Sequence, residues 1–514
     1  MNFMNGMKET MNNNLSYNVS ITENGAVGYR TTGKKLLDFN FQISSFRNKN
    51  ASEVVNKFVD AFYEDKLTAV KMLFYSGDVR EGLGERRLFR TCMTYLGKNH
   101  RDIAKAVIEL IPEYSRWDNV LCLLDTDLAD DVVSVIKQQL VEDMQNCVEG
   151  KSISLCAKWM PSANASSKET KRLASIIITK MGISEKQYRK MLSKLRSYLK
   201  VVEVSMSKKE WKAIDYATVP SRANLIYNGA FLRNDEERRR AYLASLEKGE
   251  TKINAGVLFP HDIVSRYTTC DWRRQLNKYD ATLEELWKAL PDLVQGNGNT
   301  ICVADGSGSM THRLNNSSVM ALDVANALAI YFAERSSGQF KDKYITFSSN
   351  PKLVDFSKAK SLREKIEIAF RHNEVADTNI EKVFQLILDT AVRHNMSQDD
   401  IPANILILSD MEFNSCATCN SGYRLSQTLF DKIAKDYAAH GYKLPRLVFW
   451  NICSRTGTIP VKENDLGVAL VSGFSPNIVK MVMSNSTDPL ECLLEQINSK
   501  RYDPVENAIK DLVA

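Results

Sequence analysis

The chain has 514 residues, 44% of them hydrophobic and 25% charged, with a formal net charge of +6. That length predicts about two to four domains, and that apolar share is enough for real cores, which excludes a disordered chain. No stretch approaches the roughly eighteen apolar residues of a membrane span, and the polar start MNFMNGMKETMNNNLSYN lacks the basic-then-apolar pattern of a secretory signal.

The ten cysteines are scattered, and most sit in apolar segments, such as Cys122 in NVLCLL and Cys302 in TICVA. That usage predicts reduced, buried thiols and a cytoplasmic protein. A lone CxxC, Cys416 to Cys419, is a weak zinc signal without a second pair. Charge is unevenly placed. Residues 101–150 carry 4 basic against 11 acidic side chains, and residues 151–200 carry 12 against 2. Screening makes such local excesses matter more than the total.

In chain order, residues 1–45 read as an irregular or extended arm with a hairpin signal at Asn24-Gly25. From about Ser52 the pattern turns helical: in SEVVNKFVDAFY the apolar positions fall at three-and-four spacing. Ser184 with Gln187, Ser207 with Glu210 and Thr282 with Glu285 each match a capping box. Residues 46–295 therefore predict stacked antiparallel helix pairs, an irregular α-solenoid without a clean repeat period.

The break LVQGNGNT marks a boundary, and residues 296–514 alternate short apolar runs with helical patterns. This predicts an α/β doubly wound domain with a mostly parallel sheet. The helix beginning near Val319 is apolar almost all round, so it is expected to be buried against that sheet.

The first strand of this domain ends in TICVADGSGSM. Ligands in such sheets sit beyond the carboxyl ends of the strands. There, Asp305, Ser307 and Ser309 offer hard oxygens of the kind Mg2+ takes, and Gly306 and Gly308 let the backbone approach closely. Thr378 precedes a helix, and Asp410 directly follows the run NILILS, so both are expected at the same sheet edge. His312 is expected to be a solvated or capping residue. No base accompanies a nucleophile, so a catalytic set is not expected.

Together these features resemble the metal-ion-dependent adhesion site of von Willebrand factor A domains, over roughly residues 298–500. The resemblance implies a Rossmann-like fold with a divalent cation, Mg2+ or another. Ser307, Ser309 and Thr378 would coordinate it directly, and Asp305 and Asp410 directly or through water. Glu412 departs from the usual set. An open position on the ion would accept an acidic protein ligand or a phosphate oxygen.

The basic excess lies in the stretch from Cys156 to Lys200, which contains KWMPSANASSKETKRLA and YRKMLSKLRSYLK. Lys158, Lys168, Lys171, Arg172, Lys186, Arg189, Lys190, Lys194 and Arg196 are candidate phosphate contacts, with Trp159 a candidate stacking platform. The alternative is a solvated face, neutralised within the fold by the acidic segment before it. Arg80, Arg86, Arg87 and Arg90 in YSGDVREGLGERRLFR are further candidates, or they pair with Asp78, Glu81 and Glu85 at a helix junction.

A helical-repeat region followed by a von Willebrand factor A domain resembles the Ro ribonucleoprotein family, whose TROVE module combines these parts. YSGDVREGLGERRLFR, KWMPSANASSKETKRLA, YRKMLSKLRSYLKVVE and DYATVPSRAN look like a large Ro-like family with viral and cellular members. This implies a HEAT-like helical ring that binds single-stranded ends or structured non-coding RNA. A metal-dependent protein–protein scaffold is the alternative, and an enzyme is the least expected.

Overall fold

The computed structural model describes residues 18–269, 275–294, 299–314, 319–348, 350–373, 378–413, 427–461, 467–482 and 488–513. Cys416 and Cys419 lie outside them. Strands β1 (Val19–Ile21) and β2 (Val27–Tyr29) pair antiparallel around Asn24-Gly25, with Gly25 at φ +87°. Helix α1 (Lys35–Gln42) follows and corrects the expectation of an irregular arm. Every residue from Leu36 to Gln42 is buried, so the helix has no polar stripe and no helical period to read. Its Asp38 accepts hydrogen bonds from the Thr32 backbone N–H (2.7 Å) and hydroxyl (2.8 Å), which fixes the turn into the helix.

The remaining helices of eight residues or more, up to the sheet, are α2 (Ala51–Glu64), α3 (Lys66–Gly77), α4 (Arg86–Asn99), α5 (Ala129–Val148), α6 (Lys168–Met181), α7 (Glu185–Tyr198), α8 (Ser221–Asn234), α9 (Glu236–Glu247), α10 (Pro260–Tyr267) and α11 (Ala281–Lys288). The chain divides into two compact units, and these do not follow the boundaries expected at 45/46 and 295/296. One takes in residues up to Asp65 together with Leu258–Ser499, and the other takes in Lys66–Val257 together with residues from Lys500 on.

The helical unit therefore runs from α3 to α9 and includes a last helix, Asp503–Val513. Arg501, just before that helix, bonds Asp78 at 2.9 Å, and the Tyr502 ring stacks on Tyr114 with centroids 5.7 Å apart. No local pattern announces a partner some four hundred residues away.

In the other unit, β3 (Thr300–Asp305) is followed by α12 (Ala321–Arg335), β4 (Lys343–Phe347), β5 (Leu353–Asp355), α13 (Leu362–Arg371), α14 (Ile380–Arg393), β6 (Asn404–Ser409), α15 (Gln427–Ala439), β7 (Arg446–Asn451) and β8 (Val468–Ser472). The sheet order is β5-β4-β3-β6-β7-β8. All pairs are parallel except β4 with β5. Residues 321–333 of α12 are all buried, as its all-round apolar pattern predicts. The strand order reverses between β3 and β6, and open α/β sheets place their ligand crevice at the carboxyl ends beside such a reversal.

Candidate metal centre and nucleic-acid interface

Register puts two acids side by side. Ala304 pairs with Leu408, so Asp305 and Ser409 end neighbouring strands at one level, and Asp410 follows. Asp305 is buried: its Oδ1 accepts the Ser307 backbone N–H (2.9 Å) and its Oδ2 accepts the Ser409 hydroxyl (2.6 Å). Ser307 Oγ lies 2.8 Å from Ser309 Oγ, which in turn donates to Asp410 Oδ1 at 3.3 Å. Four of the five predicted metal-site residues thus form one hydrogen-bonded chain. Thr378, the fifth, is buried two residues before α14. Helix α14 leads back toward the start of β6, so its first turn stands at the end of the sheet where the strands finish.

Asp410 is the strained member. It is 0% exposed, and its Oδ2 has no hydrogen-bond partner among the described residues. Burial, then the negative charges of Asp305 and Glu412, push its carboxyl well above the usual carboxylate range, and burial pushes Asp305 up as well. Arg455 Nη2 is 3.6 Å from Asp410 Oδ2 and 2.8 Å from Glu23, so one guanidinium is shared between the site and the tip of the β1–β2 hairpin. Among the described residues, no three histidine, cysteine or carboxylate side chains group as a metal site. The donor set here relies on hydroxyls, which suit a hard cation rather than structural zinc.

Glu412 is turned away from this chain. Met411, at φ +62°, reverses the backbone between the two acids. The Glu412 carboxylate accepts the backbone N–H groups of Arg455 (2.9 Å), Thr456 (3.0 Å) and Glu23 (2.9 Å), so it anchors the 454–456 loop to the hairpin.

On the helical unit the basic side chains separate into three groups. On α6, Arg172 bonds Asp125 at 2.7 and 2.8 Å and also Glu169, while Lys180 bonds Asp130 at 2.7 Å. The acidic segment does neutralise this helix in part, although Lys168 and Lys171 remain exposed. On α7, Lys186, Lys190 and Lys194 are exposed and have no carboxylate partner among the described residues, and Arg189 reaches Glu185 only at 3.8 Å. Lys186, Arg189, Lys190 and Lys208 line a groove of about 610 Å3 with no acidic side chain in its lining among the described residues. Arg196 builds its wall by donating to the carbonyls of Ala157 (2.8 Å) and Met160 (2.7 Å) and to Ser162 (2.8 Å).

The third group surrounds Asp118. Arg90 bonds it at 2.8 Å, and Arg116 pairs with it and lies 3.8 Å over the Trp159 ring, with Lys158 on the same ring at 5.5 Å. Burial, with the like charges of Arg116, Arg90 and Arg222, pushes the Arg86 guanidinium down to about 10. Arg90 thus takes Asp118 rather than the acids of its own segment, and Arg80 bonds the Asp78 carboxylate through its backbone N–H at 2.9 Å. Sequence reasoning missed Arg116, Arg222, Lys208 and Arg455. Arg222 and Arg455 are isolated in their own segments, Arg116 lies beside Trp117 and Asp118, and Lys208 sits with Lys209 and Lys212 in SKKEWK.

Two domains of unknown function match this chain, DUF7788 over residues 299–510 and DUF2828 over residues 22–112 and 178–299. A protein of Acanthamoeba polyphaga mimivirus, described as uncharacterized protein L728, is 30% identical over 529 aligned residues, which cover 95% of this chain and 89% of its own length. The chain belongs to the family of that mimivirus protein. In this family member, Asp305, Ser307, Ser309, Thr378 and Asp410 fall in the DUF7788 segment, and Lys186 to Arg196 fall in DUF2828. Lys158 to Arg172 lie between the two DUF2828 segments. Among the described residues, no helix is long and apolar enough to cross a membrane.

Proposed function

We propose that this is a non-enzymatic RNA-binding protein of Ro-like architecture, pairing a HEAT-like irregular solenoid with a von Willebrand factor A domain. The observation that carries the reading is the convergence of Arg86, Arg90 and Arg116 on one carboxylate, Asp118, among the described residues. Like charges held this close favour an anion, and guanidinium forks match phosphate oxygens. The Arg116–Trp159 pair supplies a planar surface on which an unpaired base can continue the stack. The groove along α7 extends the positive surface with Lys186, Arg189 and Lys190. Phosphate contacts provide affinity through counterion release, with a modest preference for single-stranded ends.

Binding of a labelled single-stranded RNA tests this. Arg86→Ala with Arg116→Ala is expected to weaken binding at least about tenfold across unrelated sequences, in keeping with lost phosphate and stacking contacts. Unchanged affinity in a folded double variant sinks the reading.

A second reading has one observation in its favour, the buried Asp410 Oδ2, which has no hydrogen-bond partner among the described residues. The strand order with its single antiparallel edge strand, and the oxygens at the ends of β3 and β6, support a von Willebrand factor A domain. There Asp305, Ser307, Ser309, Thr378 and Asp410 hold a divalent cation such as Mg2+. The cation supplies an electrophilic position for an oxygen of an acidic protein ligand. In this reading the protein is a metal-dependent scaffold, and its partner is released by a chelator.

A further inference from the structure

We propose that the groove along α7 is a pocket for the 5′-terminal polyphosphate of an RNA, so that the protein recognises a chain end by its charge as well as by its unpaired bases. The inference rests on the RNA reading above and names the part of the RNA that this groove takes.

Positive charge is gathered here at one point. Lys186, Arg189 and Lys190 lie three and four residues apart, on one face of α7 within about one 5.4 Å turn. Lys208, at the end of the short helix Val202–Ser207, lines the same groove. All four side chains are exposed, and no acidic side chain shares the lining among the described residues. A backbone phosphodiester brings a single negative charge. A terminal phosphate brings about −1.5 to −2 with three acceptor oxygens, and a triphosphate brings more again. Four cations around one concavity match a compact polyanion, and in RNA chemistry such a group sits at the 5′ end.

The walls offer hydrogen-bond donors and no surface for a base. Arg196 donates to Ser162 Oγ at 2.8 Å, which leaves the Ser162 hydroxyl hydrogen for an anion. Asn164 and Ser193 add further donors to the lining. Tyr188 is the one aromatic residue of the lining among the described residues. It is fully buried and its hydroxyl donates to the Pro161 carbonyl at 3.0 Å, so its ring is closed to a base.

A stacking surface adjoins the groove. Arg196 also donates to the carbonyls of Ala157 (2.8 Å) and Met160 (2.7 Å), which flank Trp159 in the chain. The half-buried Trp159 ring carries the Arg116 guanidinium at 3.8 Å. One arginine thus ties the phosphate groove to the turn that presents the stacking ring. A 5′ end fits that order, with its phosphates in the groove and its first bases at Trp159.

The test compares one internally labelled single-stranded RNA carrying a 5′-triphosphate, a 5′-monophosphate, a 3′-monophosphate or hydroxyls at both ends. Binding to the full chain is followed by fluorescence anisotropy at fixed salt. The triphosphate RNA is expected to bind at least about tenfold more tightly than the hydroxyl RNA, with the 5′-monophosphate between them and the 3′-monophosphate within about twofold of the hydroxyl RNA. Lys186→Gln, Arg189→Gln, Lys190→Gln and Lys208→Gln together are expected to bring the triphosphate and hydroxyl RNAs within about twofold of each other, whereas Arg86→Ala with Arg116→Ala weakens both and keeps their ratio. Equal wild-type affinity for the two RNAs, a gain as large from the 3′-phosphate, or a ratio that survives the four substitutions overturns the assignment and leaves the RNA reading standing. Failure to bind any of the RNAs removes both. Inorganic tripolyphosphate serves as competitor, and if it binds as tightly as the triphosphate RNA the groove is a site for free polyphosphates and the RNA-end assignment fails. If the four-substitution variant does not fold, Lys208→Gln alone decides, with a ratio expected to fall at least about threefold; an unchanged ratio overturns the assignment.

Discussion

Asp410 and Asp118 show how the same residue type is used in opposite ways. Asp410 is buried beside two other acids, and its Oδ2 has no hydrogen-bond partner among the described residues, so its charge opposes folding. Asp410→Asn is therefore expected to raise the thermal midpoint of metal-free protein. It should also abolish the stabilisation by added divalent ion, about 2.7 kcal/mol at a hundredfold excess over Kd in the wild-type chain. Scanning calorimetry with and without ion checks both. Asp118 is also largely enclosed. Burial pushes its carboxyl up, but the Arg116 hydrogen bond and the charges of Arg116, Arg90 and Arg86 outweigh burial and hold it below its ordinary value. A depressed carboxyl adds stability that is complete above the unfolded value, near 3.9, and is lost as pH falls through the folded value. Unfolding midpoints of Asp118→Asn, followed from about pH 6 down to about pH 2, are expected to lose that part of the acid-side fall.

At the scale of elements, α6 and α7 divide a basic stretch that looks uniform in the sequence. Lys186→Glu with Lys190→Glu and Lys194→Glu on α7 is expected to reduce RNA affinity more than tenfold. Arg172→Glu on α6, whose guanidinium already serves Asp125 and Glu169, is expected to lower it much less. Filter binding of the two variants separates them. The elements themselves were legible where local chemistry decides them. Ser184 and Gln187 form the predicted capping box of α7, and the unbroken apolar pattern of α12 corresponds to burial on all sides. Where tertiary packing decides, the reading failed. Ser207 ends the short helix Val202–Ser207 instead of starting one, because Lys209 turns left-handed at φ +60°. Thr282 lies inside α11, whose first turn is capped by Asp280 through the Thr282 N–H at 2.8 Å. The three-residue edge strand β5 is too short to show a period.

At the scale of the whole molecule, chain order predicted the two kinds of architecture but not their membership. The hairpin, α1 and α2 belong with the sheet, and Arg501 and Tyr502 belong with the helices, through partners such as Asp78 and Tyr114 that no sequence window contains. Asp305 and Asp410 were legible as candidates because strand ends carry them. Arg455, Arg116 and Arg222 were not, because their meaning comes from what surrounds them in space. The central claim, that the helical unit binds RNA by its phosphates, is tested most directly by RNA affinity measured across salt concentration. Wild-type chain is expected to lose affinity steeply, with the logarithmic slope smaller by about 0.7 for each phosphate-contacting residue removed from Arg86, Arg116, Lys186 and Lys190. An affinity insensitive to salt, or a slope unchanged when all four are replaced, would contradict it.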